Sequence, residues 1–289
     1  MERPRRSFSL NKRPTKKKSR HIYYVRFRDE EGCYLSAISS GKSTKAEAEQ
    51  WARDFLERGL NPGKRATTFA RFAEGFWDYE SSPYIQGRIA RGFTYSRRFA
   101  DICRSNTENH LIPRFGELRL ADITHKDIDG WILALYREGK LSPTTVNKLL
   151  TLMRVMLEQA RREGYLGTNP AAEVQPVKTQ ATEKAVLTGE EVGRLFGPDA
   201  LERIWAGGRR YFVLNLIAAS TGMRQGELRG LQSRHIHDEY LEVRHAWEDR
   251  YGLKEPKNGA ERIVPIPSRV SQEIKALLTE TPGGGPEDL

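Results

Sequence analysis

Apolar positions recur with two different periods along the chain, and the change from one to the other divides it. Residues 21–28 alternate: Ile22, Tyr24 and Arg26 fall on one side, Tyr23, Val25 and Phe27 on the other, which is the period of a strand. Asp29-Glu30-Glu31-Gly32 is a turn signal, residues 33–39 read as a second strand, and Gly41 marks a further turn. Thr44 with Glu47 three positions on forms a capping box, opening a helix that carries Ala48, Trp51 and Phe55 on one face. Asn61-Pro62-Gly63-Lys64-Arg65 reads as a linker. By local pattern alone, residues 21–61 fit a small α+β module of any function.

From residue 67 to 170 the period is helical. Phe69, Phe72, Phe76 and Trp77 form its first apolar face. Residues 81–92, with Pro83, Gly87 and Gly92, carry no readable period. A helix is expected over about 94–111, ending near Pro113. Thr124 and Asp127 mark another capping box, before a helix that buries Ile128, Trp131, Ile132 and Leu135. Ser142 as N-cap with Pro143 behind it starts the most regular helix, with Val146, Leu149, Leu150, Met153, Leu157 and Ala160 at core spacing. Met153 and Met156 read as core filler. Residues 173–182 contain Pro176 and no apolar period, and read as a second linker.

The last segment opens with Thr188 as a cap and Glu191 at N3. Residues 211–218 are apolar almost all round, which predicts a helix buried on every side. Thr221-Gly222 ends it, and a second helix starts near Arg224 with Leu228 and Leu231 on one face. Residues 240–247 alternate like a strand, with 262–266 as its hairpin partner. A final helix from Ser268 aligns Val270, Ile274, Leu277 and Leu278, before a flexible tail at Thr281-Pro282-Gly283-Gly284-Gly285-Pro286.

Composition narrows the partners. In the 289 residues, 38% hydrophobic and 30% charged suit globular domains with real cores, and the length holds two or three of them. No run approaches the roughly 18 apolar residues of a membrane span, and no apolar N-terminal segment suggests secretion. Cys33 and Cys103 are far apart, fitting a reducing cytoplasm and neither a disulfide framework nor a zinc site. The net charge of +10 points to a polyanion. It is unevenly placed: Arg3, Arg5, Arg6, Lys12, Arg13, Lys16, Lys17, Lys18 and Arg20 stand against Glu2 alone in residues 1–20. Such a tail is expected to be disordered when free and to lie along phosphates. The tail taken alone also admits an RNA-binding or localisation role.

Arg224 lies where a helix dipole disfavours a cation, so stability does not explain it. An arginine fork at a helix start suits a phosphate. A surface arginine paired with Glu227 at i+3 satisfies the same spacing.

The run Thr221-Gly222-Met223-Arg224-Gln225-Gly226-Glu227-Leu228, followed by Leu231, resembles the first arginine box of the tyrosine recombinases, the phage-integrase family. Lys257-Asn258-Gly259-Ala260-Glu261-Arg262-Ile263-Val264-Pro265-Ile266 resembles that family's β-hairpin lysine, in the expected order. The helical block is similar to the family's core-binding domain at His110-Leu111-Ile112-Pro113, Phe115-Gly116, Ile123-Thr124, Thr145-Val146-Asn147 and Asn169-Pro170. The resemblance implies a multidomain, mainly α fold with small β-sheets. Its parts are a basic tail (1–20), a sheet-plus-helix arm-type DNA-binding domain (21–61), an all-α SAM-like core-binding domain (66–172) and a partial α+β catalytic domain (183–289).

The resemblance also implies a chemistry. A tyrosine attacks a DNA phosphodiester, forms a 3′-phosphotyrosine and releases a 5′-hydroxyl, with no metal or other cofactor. Arg224 would stabilise charge on the non-bridging oxygens, Lys257 would protonate the leaving oxygen, and Glu227 would hold Arg224. Arg26, Arg28, Arg97, Arg98, Lys148 and Arg154 are the candidate DNA contacts. Double-stranded DNA at attachment sites and other protomers in a synaptic tetramer are the implied partners, in the cytoplasm and away from membranes.

The pattern is then broken. After Lys257 the sequence has no His, Trp or Tyr, so the family's His-x-x-Arg box and nucleophile are unmatched. His235, His237 and His245 precede the lysine, and Tyr240 and Tyr251 fall in the hairpin region, out of family order. The expectation is a catalytic domain cut short, which binds DNA and does not cleave it. The alternative is a non-catalytic regulator that competes with an intact recombinase. Either way, part of the apolar helix 211–218 should be exposed and promote association.

Overall fold

In the computed structural model, Phe8–Pro14 form a strand, β1, inside the stretch expected to be a disordered tail. It pairs antiparallel with β2 (His21–Phe27), and β3 (Ile38–Ser39) completes a sheet of order β1-β2-β3. The register sets Phe8 opposite Phe27 and Leu10 opposite Val25. Helix α1 (Lys45–Glu57) covers that face with Ala48, Trp51, Ala52 and Phe55, so the two apolar residues of β1 enter a core the charge pattern concealed. The expected second strand shrinks to β3, with Tyr34 bridging Arg28 ahead of it.

The structure describes residues 7–14, 21–28, 32–57, 64, 66–180, 183–256 and 261–280. The remaining tail positions, most of the first linker, Lys257 with its neighbours to 260, and the tail beyond 280 lie outside the described residues. The chain divides into two units, Met1–Ala181 and Thr182–Leu289.

The first unit continues with α2 (Phe69–Ala73), α3 (Pro83–Ile89) and α4 (Arg97–Asn106). A π-helical turn, Thr107–Leu111, leads into α5 (Ile112–Phe115), followed by α6 (His125–Glu138) and α7 (Pro143–Arg162). Phe69, Phe115, Ile128, Ile132, Leu149, Leu150, Met153 and Met156 are fully buried in one core. The unreadable stretch 81–92 holds α3: Ser82 accepts from the Ile85 N–H at 3.3 Å and Pro83 takes the first turn. The helix expected to end near Pro113 widens instead. Buried Thr107 donates to the Cys103 carbonyl at 2.8 Å and accepts from the Trp77 indole at 2.8 Å, competing for the ladder.

Both N-caps expected at α6 and α7 form. Asp127 Oδ2 accepts the Thr124 N–H at 3.0 Å while Thr124 Oγ1 accepts the Asp127 N–H at 3.2 Å. Thr124→Ala should cost about 1 kcal/mol, read as a lower denaturation midpoint for this unit. The second linker begins later than expected, because Val174 is fully buried and the Asn147 amide exchanges two 2.9 Å bonds with the Val177 backbone.

The second unit comprises α8 (Gly189–Leu195), α9 (Ala200–Arg203), α10 (Arg209–Thr221), α11 (Gln225–Arg229) and α12 (Ser268–Glu280). They pack with β4 (Tyr240–Val243), β5 (Ala246–Glu248), β6 (Gly252–Lys254) and β7 (Arg262–Pro265). Two expectations change here. Helix α10 is buried on one face only, through Phe212, Val213, Leu216 and Ile217, while Tyr211 is 68% exposed. The strand expected at 240–247 breaks at Arg244-His245: β4 pairs antiparallel with β7, and β5 turns back on β6 instead. Among the described residues no helix is long and apolar enough to cross a membrane.

Candidate functional site

Helix α10 ends where Gly222 takes φ 65°, a left-handed conformation that glycine adopts without a Cβ clash. Met223 then turns into the core at 5% exposure, and Arg224, in extended backbone, caps α11. Glu227 Oε2 accepts the Arg224 N–H at 2.9 Å, which is half of a capping box. Arginine has no acceptor with which to return the other half. Its side chain instead donates from Nη1 to Glu227 Oε1 at 3.0 Å. The i+3 pair therefore exists, and the Arg224 side chain is still 60% exposed.

Glu227 has a second partner. Arg262, the first residue of β7, forks onto it with Nη1 3.0 Å from Oε1 and Nη2 2.6 Å from Oε2. Glu227 itself is only 2% exposed. The bonds from Arg262 hold its carboxyl down to about 2, against the upward pull of burial and with help from Arg224. The same carboxylate raises the Arg262 pKa. Two guanidiniums over one buried carboxylate leave one net positive charge facing outward. In the sequence Arg262 stands only as part of the hairpin motif, because this contact spans 35 positions and leaves no local signal.

Helix α11 sits directly on β5. A Cβ built on Gly230 would lie 2.8 Å from the Ala246 Cα and carbonyl carbon and 2.8 Å from the Trp247 nitrogen. One built on Gly226 would lie 3.3 Å from the Trp247 carbonyl oxygen. Arg229, at the end of α11, pairs with Asp249 just past β5. The His235 and His245 rings lie 5.6 Å apart, tilted by 31°, each with a buried Nδ1 that has no partner. Burial foremost, then the Arg234 charge, lowers the His235 pKa and so favours the neutral ring.

Among the other candidates, Arg26 and Arg28 share the open face of the first sheet, 5.2 and 4.3 Å from the Tyr34 ring. Arg28 also pins its turn, donating to the Gly32 carbonyl at 3.1 Å and the Tyr34 hydroxyl at 3.0 Å, which lowers the Tyr34 pKa. Arg13, from the corrected strand β1, joins that face 4.7 Å over Tyr24. Arg97 and the exposed Arg98 open α4, with Arg97 2.7 Å from Glu80. Lys148 is exposed on α7. Arg154 points elsewhere: it donates to the Ala171 carbonyl at 3.1 Å and to the Val174 carbonyl, tying the following segment to α7. Lys257 lies outside the described residues, and β7 begins five positions after it.

No family model matches the chain. A tyrosine recombinase XerC-like protein of Caldanaerobacter subterraneus subsp. tengcongensis is 28% identical over 222 residues, 75% of this chain and 53% of that protein. Tyrosine recombinase XerC of Oceanobacillus iheyensis is 28% identical over 138 residues, 48% of this chain and 41% of that protein. The chain thus spans about half the length of the curated relatives it matches. The Tn1549 transposon integrase, solved with transposon right end DNA, superposes with a TM-score of 0.59 at 17% identity, over 76% of this chain and 67% of that one. A lambda integrase dimer bound to a COC′ core site gives 0.57 at 16% identity, over 99% and 75%. These two likenesses are of fold: mainly helical, with small sheets. In sequence the chain is similar to these tyrosine recombinases, and in fold to these two integrases.

Proposed function

We propose that this chain grips double-stranded DNA as part of a site-specific recombinase, with Arg224 as a ligand of the phosphate at which strands are exchanged. The observation that carries the reading is the Arg224 guanidinium: held at one nitrogen by a buried carboxylate, and mostly exposed. A donor fixed before its ligand arrives needs no reorganisation when charge grows on a phosphate oxygen. Glu227 supports it, and Lys257 is the proton donor to the leaving 5′-oxygen. Arg13, Arg26 and Arg28 on the first sheet, and Arg97, Arg98 and Lys148 on the helical block, contact the backbone of the attachment site. We assign the first sheet with α1 to an arm-type domain, α2 to α7 to a core-binding domain, and the second unit to the catalytic domain. Other recombinase protomers are the expected protein partners, as the dimeric state of the lambda relative suggests.

The 289 residues hold no tyrosine after Tyr251, and neither Tyr240 nor Tyr251 stands in the order the chemistry requires. This polypeptide is therefore expected to bind DNA without forming a phosphotyrosine. Fluorescence anisotropy with a labelled duplex should give an affinity that falls steeply with salt. Arg26→Gln or Lys148→Gln should each reduce the slope of log K against log salt by about 1. Incubation with nicked duplexes should yield no covalent adduct on a denaturing gel. Binding that ignores salt would overturn the DNA reading, and an adduct would overturn the statement on cleavage. A chain that occupies sites without cutting would also exclude an intact recombinase, which a competition assay measures directly.

A further inference from the structure

We infer that Arg262 is a positioning residue that keeps Arg224 turned outward by filling the acceptor sites of Glu227. The inference rests on the proposal that Arg224 is a phosphate ligand.

An ionised carboxylate offers about four acceptor positions, two on each oxygen. Oε1 of Glu227 receives Nη1 of Arg224 and Nη1 of Arg262, each at 3.0 Å. Oε2 receives the backbone N–H of Arg224 at 2.9 Å and Nη2 of Arg262 at 2.6 Å. All four positions are taken. A second N–H from the Arg224 side chain has nowhere on Glu227 to go, although a two-pronged fork is the geometry that arginine and carboxylate favour. The remaining donors of Arg224 therefore stay available to a ligand. Without Arg262, half of the carboxylate opens, and the adjacent Arg224 would close on it as a fork. The donors it needs for a phosphate would then be turned inward.

The geometry also explains why an arginine and not a lysine stands at the start of β7. A lysine ammonium is a point charge that fills one oxygen, leaving the other to compete for Arg224. The same fork fixes the first residue of β7, so one carboxylate ties the start of α11 to the start of that strand.

The test is a double-mutant cycle on the full chain, read by anisotropy with a labelled duplex. Resolved ¹⁵N spectra of the arginine Nε–Hε groups are recorded alongside. Arg224→Gln should weaken binding about tenfold, the scale of one charge-assisted hydrogen bond. Arg262→Gln should weaken it about fivefold, and the double variant should bind no more weakly than Arg224→Gln alone. The Arg224 Nε–Hε resonance should shift in Arg262→Gln and, to a smaller degree, in Arg262→Lys. If Arg224→Gln binds like the parent, the phosphate reading of Arg224 falls, and this inference with it. If Arg224→Gln weakens binding but the two losses multiply, Arg262 acts independently and the inference alone is overturned. Should Arg262→Gln fail to fold, Arg262→Lys decides: an unmoved Arg224 resonance overturns the inference.

Discussion

Glu227→Gln is expected to destabilise the second unit at pH 7, by at most about 3 kcal/mol, and to remove much of its acid sensitivity. In the folded protein the carboxyl is held at about 2, lowered from 4.5, first by the Arg262 fork and then by Arg224. A depressed carboxyl stabilises fully above its unfolded value and loses that contribution as pH falls through its folded value. The window therefore runs from about pH 4.5 down to about pH 2. A shift of that size corresponds to about 3 kcal/mol, and this is an upper figure because the Arg262 side chain is 37% exposed and partly screened. Urea titrations of parent and variant at pH 7, 4 and 2.5 would measure it. The gap between them should be widest at pH 7 and close toward pH 2.5. Taking the difference cancels other carboxyls such as Glu158, which Arg161 and Arg162 also hold down to about 2. A gap that does not change with pH would mean that Glu227 contributes through its shape and not through its charge.

What the sequence disclosed follows from how local each cause is. Capping boxes at Thr124 and Thr188 declare themselves within four residues, and both form. The α10–Gly222–α11 junction and the pairing of β4 with β7 were legible because a glycine stop and an alternating run need no distant partner. Strand β1 was not, because Phe8 and Leu10 are two apolar residues among many cations, and their value depends on Val25 and Phe27 across the sheet. Residues 173–177 have no apolar period because side-chain bonds from Asn147 and Arg154 hold them, so they read as a linker. The same contacts explain Arg154. Its position on a helix predicted a cation facing DNA, while its guanidinium turns to the carbonyls of Ala171 and Val174. At the candidate site, Arg224 and Glu227 were readable as neighbours. Arg262 was not, since nothing local ties the start of β7 to a carboxylate in α11.

Gly230→Ala is expected to cost the second unit about 3 kcal/mol, while Gly226→Ala, one helical turn earlier, costs at most about 1. The two sites separate space from backbone conformation. Gly230 has φ −101° and ψ 6°, values alanine can adopt, so the penalty comes from its surroundings alone. There, a methyl would stand 2.8 Å from three backbone atoms of Ala246 and Trp247, none of which can rotate away. At Gly226 the tightest contact is 3.3 Å, to one carbonyl oxygen, and the helix gains about 1 kcal/mol from replacing glycine by alanine. Denaturation midpoints of the two variants would check the ordering. The consequence reaches the candidate site, because Glu227 lies on α11 between Gly226 and the capping Gly230. If a methyl at Gly230 lifts this short helix from β5, Glu227 moves with it while Arg262 stays on β7. The fork then lengthens, the carboxyl pKa rises toward its ordinary value, and Arg224 loses its support. Equal stability of Gly230→Ala and the parent would show that α11 can leave β5 at no cost, and that the close packing does not hold the arginine box in place.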